Sequence, residues 1–270
     1  MTRYEPPHPL FGCQLKLDRA YEHMESLNRA MQGFLGRRPY ELWKHLDRQT
    51  NEYVVFMRIR DTPPIKRSIV IGEIVHNLRS ALDHLAWQLV KANGEKPDRD
   101  TGFPIFSDDP FADNASKKTL ERWEKLTRGM HADDIAILKE FQPYKRGDQG
   151  SPFFILNALS NRDKHREIHF TQNVARYTKV EFTDQRDCEL EPLMDPYSGT
   201  FEDRTVVLHY RIISTGDNPH EYVEAECSFT IAFRYPETIA GLSVEETFIL
   251  LGHGVHDITH VFGEQRFSQP

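Results

Sequence analysis

The chain is poor in cysteine, has no long apolar run and begins without a recognisable export signal. Three cysteines occur among 270 residues, and none has the Cys-x-x-Cys spacing of a thiolate metal site or redox pair. Cys13, Cys188 and Cys227 are odd in number and far apart, which argues against a disulfide framework. The first ten residues lack the basic-then-apolar order of a secretory signal. We therefore expect a cytoplasmic protein with no membrane partner.

Acidic residues outnumber basic ones, and the formal net charge of −7 argues against a uniformly basic nucleic-acid surface. This excess is local, because residues 181–203 carry eight carboxylates against one arginine. The rest of the chain is neutral overall, and residues 160–180 within it hold five basic and two acidic side chains. A polyanion such as RNA can therefore be accommodated at residues 160–180, although nothing in the composition requires one.

Apolar periodicity predicts mainly helices up to residue 166 and mainly strands beyond it. Helices are expected at 14–35, 65–93, 115–127, 132–141 and 152–160, with a β-hairpin at 39–60. Three later segments rich in Val, Ile, Phe, Thr and Tyr predict a mostly antiparallel sheet. Ser243 and Glu246, in capping-box spacing, begin a closing C-terminal helix. The predicted fold class is α+β, with a helical domain at 1–166 and a β-rich region at 167–270 packed as one unit.

The segment 71–90 has an unusual polar face for a surface helix. Its apolar residues fall on one side at helical spacing and predict a wide buried stripe. The other side holds imidazoles, carboxylates, a guanidinium and an amide where a solvated helix usually has Lys, Gln or Ala. The candidate site residues on this side are Glu73, His76, Asn77, Arg79, Asp83 and His84. Alternatively, these groups bond to neighbouring elements of a bundle, with Arg79 and Asp83 paired at i, i+4.

A second polar cluster, NRDKHRE at 161–167, follows the predicted helix 152–160. It places an amide, carboxylates, cations and an imidazole at an expected helix-to-strand junction. Such mixtures on loops held by rigid elements suit an anionic or polar substrate. The candidate substrate-binding residues are Asn161, Asp163, Lys164, His165 and Arg166, together with Glu73 and Asn77. A solvated turn is the simpler interpretation.

Three histidines lie in one row on the predicted final helix. His253, His256 and His260 are spaced i, i+3 and i+7, so they project within about 60° of one another. Such a row can bind a divalent metal if another element adds a ligand. No His-Glu-x-x-His or comparable signature accompanies them, so surface histidines are the alternative and no cofactor is expected.

The segments HNLRSALDH (76–84), FPIF (103–106), FQPY (141–144) and DKHR (163–166) occur in an order that resembles a widespread group of uncharacterised bacterial proteins. The likeness spans roughly residues 40–170 and implies no established activity. The central helix is also similar to HEPN-type helical domains, many of which are RNases of toxin, abortive-infection and defence systems. Their hallmark is an Arg and a His separated by four to six residues, which Arg79 and His84 match with four.

The HEPN resemblance implies a helical bundle and metal-independent RNA cleavage by a homodimer whose two motifs face one cleft. His84 would handle the proton of the attacking 2′-hydroxyl, and Arg79 would stabilise charge on the phosphate. His76 and Asp83 would complete the catalytic set. On an ideal helix, however, Arg79 and His84 point about 140° apart. Two alternatives remain: a small-molecule or metal-dependent enzyme that uses the same His and Asp face, and a non-catalytic interaction module.

Overall fold

The computed structural model describes residues 4–147, 151–164, 171–182, 190–195, 197–213, 223–234 and 237–268. Within these ranges the chain is an α+β fold, as the sequence predicts. The helices are α1 (Phe11–Leu35), α2 (Arg67–Ala92), α3 (Lys117–Thr127), α4 (Ala132–Glu140), α5 (Pro143–Arg146), α6 (Pro152–Lys164) and α7 (Val244–Arg266). The strands are β1 (Tyr40–Asp47), β2 (Glu52–Ile59), β3 (Thr171–Phe182), β4 (Leu190–Pro192), β5 (Gly199–Thr200), β6 (Val206–Ile212) and β7 (Val223–Phe233). Each helix in the described ranges is too short or too polar to cross a bilayer.

Helix α2 is the centre of the core, and it spans almost the whole of the helix predicted at 65–93. Leu78, Leu82 and Leu85 on its apolar side have no solvent exposure. Burial of each such side chain stabilises the fold by about 2 kcal/mol. α1, α6 and α7 pack around α2. Cys13 of α1 lies in the same core, where burial raises the pKa of its thiol to about 12, so it is not a nucleophilic thiolate at neutral pH.

The closing helix α7 begins as the sequence predicts. The hydroxyl oxygen of Ser243 accepts a hydrogen bond from the Glu246 N–H at 3.4 Å, which satisfies one of the unpaired donors of the first turn. Val244, Phe248 and Leu251 are buried along its inner side. α7 contacts α1, α2 and α6, so the last helix of the chain completes the packing around the central one.

Within the described ranges the strands form two antiparallel sheets, whereas the sequence predicts a separate hairpin and one C-terminal sheet. β1 and β2 form the predicted hairpin, with Tyr40 opposite Ile59. β6 then pairs with β2, and β4 with β6, which gives the order β1-β2-β6-β4. The second sheet has the order β5-β3-β7. Strands from both sides of residue 166 therefore share a sheet, and the proposed domain division stays a prediction.

Candidate functional site

The polar side of α2 is open to solvent along a continuous strip, which we call the α2 stripe. Its members are exposed or partly exposed, whereas the apolar side of the same helix is buried: Glu73, His76, Ser80, Asp83, His84, Trp87 and Lys91. Their helical spacing places them on one face. Trp87 is 44% exposed, which is unusual for a side chain of this size and adds an apolar group to a polar surface. The stripe therefore has the mixed chemistry of a binding surface.

Arg79 and Asp83 form the border of the stripe next to residues 101–106. Arg79 donates to both carboxylate oxygens of Asp83, from Nη2 to Oδ1 at 2.9 Å and from Nε to Oδ2 at 3.3 Å. Nη2 also donates to the Phe103 carbonyl oxygen at 2.6 Å, and Asp83 Oδ1 accepts from the Phe103 N–H at 3.0 Å. The pair thus fastens residues 101–106 to α2, in the i, i+4 geometry that the sequence offered as an alternative.

Gln142 holds the same segment from its other side. This side chain has no solvent exposure, and its Nε2 donates to the carbonyl oxygens of Pro104 at 2.9 Å and Leu138 at 3.0 Å. Its Oε1 accepts from the Phe106 N–H at 3.0 Å. Phe103 and Phe106 of this segment are buried, so the segment closes an edge of the core. Sequence reasoning assigned no role to Gln142, and its one signal was its position directly before a proline at the end of a helix.

α1 forms the opposite border of the stripe. A Cβ atom added at Gly12 would lie 2.9 Å from Nδ1 of His84, so the glycine leaves room for the imidazole. Further along, Nδ1 of His23 lies 3.5 Å from Oε2 of Glu73. These two contacts show that α1 and α2 run antiparallel. Gly12 and His23 were not identified from the sequence, because neither belongs to a local pattern that points to α2.

Two basic residues of α1, Lys16 and Arg19, lie between Gly12 and His23 at positions i+4 and i+7. Helical spacing therefore puts all four residues on one face of α1, beside the stripe. Arg19 forms a surface ion pair with Glu22 at 2.8 Å. Solvent weakens such a pair, so the guanidinium can exchange this carboxylate for another anion. The α1 border thus adds positive charge next to the exposed histidines.

The two imidazoles of the stripe lie in solvent. His76 and His84 are exposed, and neither has a hydrogen bond or ion pair in the part of the chain that the structure describes. They are eight residues apart, or about 12 Å along the helix axis, so one chain does not bring both to one reacting group. Asn77 is buried instead, and its Nδ2 donates to the Glu73 carbonyl oxygen at 2.8 Å. This bond lies within α2 and directs the amide away from solvent.

The second predicted cluster lies only partly within the described residues. α6 continues to Lys164, so Asn161 and Asp163 lie on a helix and not in the junction turn that the sequence predicts. Asn161 is exposed. The side chains of Asp163 and Lys164 lie outside the described residues, as do His165 and Arg166. The substrate-binding role of this cluster therefore stays a prediction.

The C-terminal histidines do not come together in one site. The rings of His256 and His260 lie 6.0 Å apart, and each is near a carboxylate of its own helix. His253 is exposed and lines a mainly apolar groove of about 290 Å³ between α1 and α7. Among the described residues, no three His, Cys, Asp or Glu side chains are grouped as a metal site. The expected metal alternative thus has no ligand set in this part of the chain.

Of the three candidate clusters, the α2 stripe is the one whose side chains are described, exposed and bordered by other elements. It joins unpaired imidazoles to basic residues of α1, while Arg79 and Asp83 are bonded to the neighbouring backbone. The resemblances to the bacterial group and to HEPN domains stay predictions. No family model, curated protein or solved structure matches this chain.

Proposed function

We propose that the protein acts on RNA at the α2 stripe, with His76 and His84 as the groups that transfer protons. The observation that carries this proposal is the exposure of both imidazoles without a partner among the described residues. Histidine is the side chain that enzymes use most often as general base or general acid. Lys16 and Arg19 of α1 supply cations for the phosphates.

The proposed reaction is metal-independent cleavage of the RNA backbone. One imidazole removes the proton of a 2′-hydroxyl, whose oxygen attacks the adjacent phosphorus, and another imidazole protonates the departing 5′-oxygen. The basic residues stabilise the charge that builds up on the phosphate. Arg79 is a positioning residue in this proposal and not the phosphate ligand that the HEPN resemblance implies, because Asp83 and Phe103 already occupy two of its nitrogens.

A homodimer would bring the two imidazoles together. A two-fold axis beside Ser80 sets His76 of one protomer against the partner's His84, since Ser80 lies midway between them in the helix. The exposed side chains of Ile69 and Trp87 supply apolar area for such a contact. Each dimer would then have two equivalent sites, and each site would use one histidine from each protomer.

Cleavage of diverse RNAs in EDTA by untagged protein tests this function. We expect His76→Ala and His84→Ala each to lose at least about 100-fold in rate, the usual range for removal of a general acid or base. His253→Ala is the matched control, because His253 is an exposed histidine on α7. Circular dichroism checks that all variants are folded. Parent protein that leaves every RNA intact, or histidine variants that cut as well as the parent, would refute the proposal.

Mixing the two inactive variants tests the shared site. A heterodimer of His76→Ala and His84→Ala retains one site with both imidazoles, so the mixture should recover about a quarter of the parental activity. If each monomer instead contained a complete site, mixing the two inactive variants would restore no activity. Restored activity on mixing, together with a dimeric mass by light scattering, supports the two-fold arrangement.

A non-catalytic interaction module is the second candidate. The exposure of Ile69, at 61%, and Trp87, at 44%, favours it, because large apolar side chains on an exposed helix face are typical of docking surfaces. In that case Trp87→Ala would abolish self-association, and no RNA would be cut by any variant. The cleavage assay therefore separates the two candidates.

A further inference from the structure

The outer face of the four-stranded sheet carries an exposed apolar row. Trp43, Phe56 and Val206 are register neighbours on β1, β2 and β6, so their side chains project from one face. Trp43 is 47% exposed, and its ring centroid lies 6.2 Å from that of Phe56. This row borders a concavity of about 450 Å³, which we call the sheet concavity. Its lining is Trp43, Phe56, Met57, Arg58, Asp203, Arg204 and Val206.

A register irregularity sets the end of this row. Val55 pairs with Leu208, but the next residue, Phe56, pairs with Val206, so Val207 is passed over in the ladder. Val207 is fully buried, whereas Val206 is 38% exposed. Bulges of this kind bend a strand, redirect side chains and are common next to functional sites. The irregularity thus places Val206 beside Phe56 and extends the apolar floor across three strands.

Two guanidinium groups belong to the same concavity. Arg58 lies over the Trp43 ring, with its Cζ atom 4.5 Å from the ring centroid. Arg204 has a φ of +68°, which is uncommon for a residue other than glycine, and its N–H donates to the Met57 carbonyl oxygen at 2.7 Å. Among the described residues, neither guanidinium forms an ion pair. Both are exposed and available to an anionic ligand.

The acidic residue of the lining is already used by the backbone. Oδ1 of Asp203 accepts a hydrogen bond from the Ile59 N–H at 2.9 Å, which ties the turn before β6 to the end of β2. Asp203 is thereby directed at β2, while the two arginines retain their full donor capacity. Arg58 is stacked on Trp43, and neither it nor Arg204 forms an ion pair among the described residues. An aromatic floor beside two such guanidinium groups matches a ligand that joins planar rings to negative charge.

We propose that the sheet concavity binds single-stranded RNA, with a base stacked on Trp43 and Phe56 and adjoining phosphates paired with Arg58 and Arg204. Stacking on aromatic side chains accepts any base, because every base has a π face. A guanidinium fork matches the geometry of phosphate oxygens. Duplex RNA hides the faces of its bases, so the concavity selects unpaired strands. This inference rests on the proposed action on RNA and adds to it a surface that selects the substrate.

Fluorescence anisotropy of a labelled oligouridylate of about 12 nucleotides tests this surface. Binding is measured on the His76→Ala/His84→Ala double variant, so that cleavage does not consume the probe. In this background, Trp43→Leu should weaken binding about tenfold, whereas Trp43→Phe, which keeps an aromatic ring, should retain most of the affinity. Arg58→Ala and Arg204→Ala should each weaken binding and reduce its salt dependence by about one counterion.

Arg48→Ala is the matched control, because Arg48 is exposed in the turn between β1 and β2 and lies outside the lining of the concavity. It should bind as tightly as the double variant alone. Equal affinity of Trp43→Leu and its background would overturn the inference, as would equal affinity for single-stranded and duplex probes. If free UMP displaced the labelled probe as well as the unlabelled oligonucleotide does, the ligand would be a free nucleotide and not a strand, and the inference would also be overturned.

Two outcomes separate this inference from the proposed function. If the parent cleaves RNA and Trp43→Leu alone cleaves and binds as well, the proposed function stands and the sheet concavity is not part of it. If no variant cleaves RNA but binding of the oligouridylate depends on Trp43, the sheet concavity stands and the catalytic role of the α2 stripe fails.

Discussion

Both borders of the α2 stripe carry polar side chains, but Arg79 and Asp83 at one border are hydrogen-bonded, whereas His84 at the other is not. At the 101–106 border, Arg79 and Asp83 form hydrogen bonds to each other and to the backbone of Phe103. At the α1 border, His84 faces a glycine and has no hydrogen bond among the described residues. Paired polar groups stabilise a fold, whereas exposed unpaired ones add little stability and keep their chemistry available. Arg79 and Asp83 therefore serve the structure, whereas the imidazole of His84 is free for a ligand.

The bonded border should depend most on Gln142. Gln142→Ala leaves the Phe106 N–H and the Pro104 carbonyl oxygen without a partner in a buried place, whereas the Leu138 carbonyl oxygen keeps the Phe141 N–H. We expect the free energy of unfolding to fall by about 3 kcal/mol, since each unsatisfied buried group costs about 1 to 3 kcal/mol. Urea denaturation measures the change, with Gln88→Ala on α2 as a control within about 0.5 kcal/mol. A loss below about 1 kcal/mol would mean that the segment is held by other contacts.

Arg79→Ala should have the next largest effect. The guanidinium is 18% exposed and the Asp83 carboxylate 42% exposed, so the pair lies between a surface and a buried ion pair. With this screening, we expect a loss of about 2 kcal/mol, which includes the hydrogen bond to Phe103. Arg79→Lys should recover only part of it, because an ammonium group cannot bond to both carboxylate oxygens and the carbonyl in the same geometry.

The histidine variants are the comparison for Arg79→Ala in the same urea experiment. His76→Ala and His84→Ala should change the free energy of unfolding by less than about 0.5 kcal/mol, since neither side chain is buried or hydrogen-bonded among the described residues. If His84→Ala lowered the free energy of unfolding as much as Arg79→Ala, both borders would stabilise the fold, and the histidine would have a structural role.

Local pattern was sufficient for the hairpin and for the long helices, although it missed the four-residue α5 and ended α6 at residue 160 instead of Lys164. The 3.6-residue spacing of Leu78, Leu82 and Leu85 predicts a buried helix face whatever element packs against it. A polar turn between two apolar runs predicts the hairpin of β1 and β2. The pairing of β2 with β6 could not be predicted in this way. It brings Glu52 against Arg211, 159 residues along the chain, and its register depends on packing that no local window contains.

The candidate site was likewise predictable only where local sequence pattern was sufficient. The polar face of α2 was visible in the sequence, because His76, Asp83 and His84 interrupt the composition that a solvated helix usually has. The pairing of Arg79 with Asp83 was one of the two interpretations that the sequence allowed, but the bonds of both side chains to Phe103 were not visible, since Phe103 is 20 residues or more away along the chain. The Arg-x4-His spacing points to α2, but it could not distinguish a bonded arginine from an available histidine.

Gly12→Ala should have the smallest effect and examines the α1 border most directly. Alanine favours a helix over glycine by up to about 1 kcal/mol, but its Cβ would lie 2.9 Å from Nδ1 of His84 and force the ring to move. The two effects should nearly cancel in the parent. In a His84→Ala background the clash is gone, so Gly12→Ala should stabilise the protein by about 0.5 to 1 kcal/mol. A double-mutant cycle by urea denaturation measures this coupling. Equal stabilisation in both backgrounds would show that the imidazole does not lie against Gly12, and α1 would then not form a border of the α2 stripe at that end.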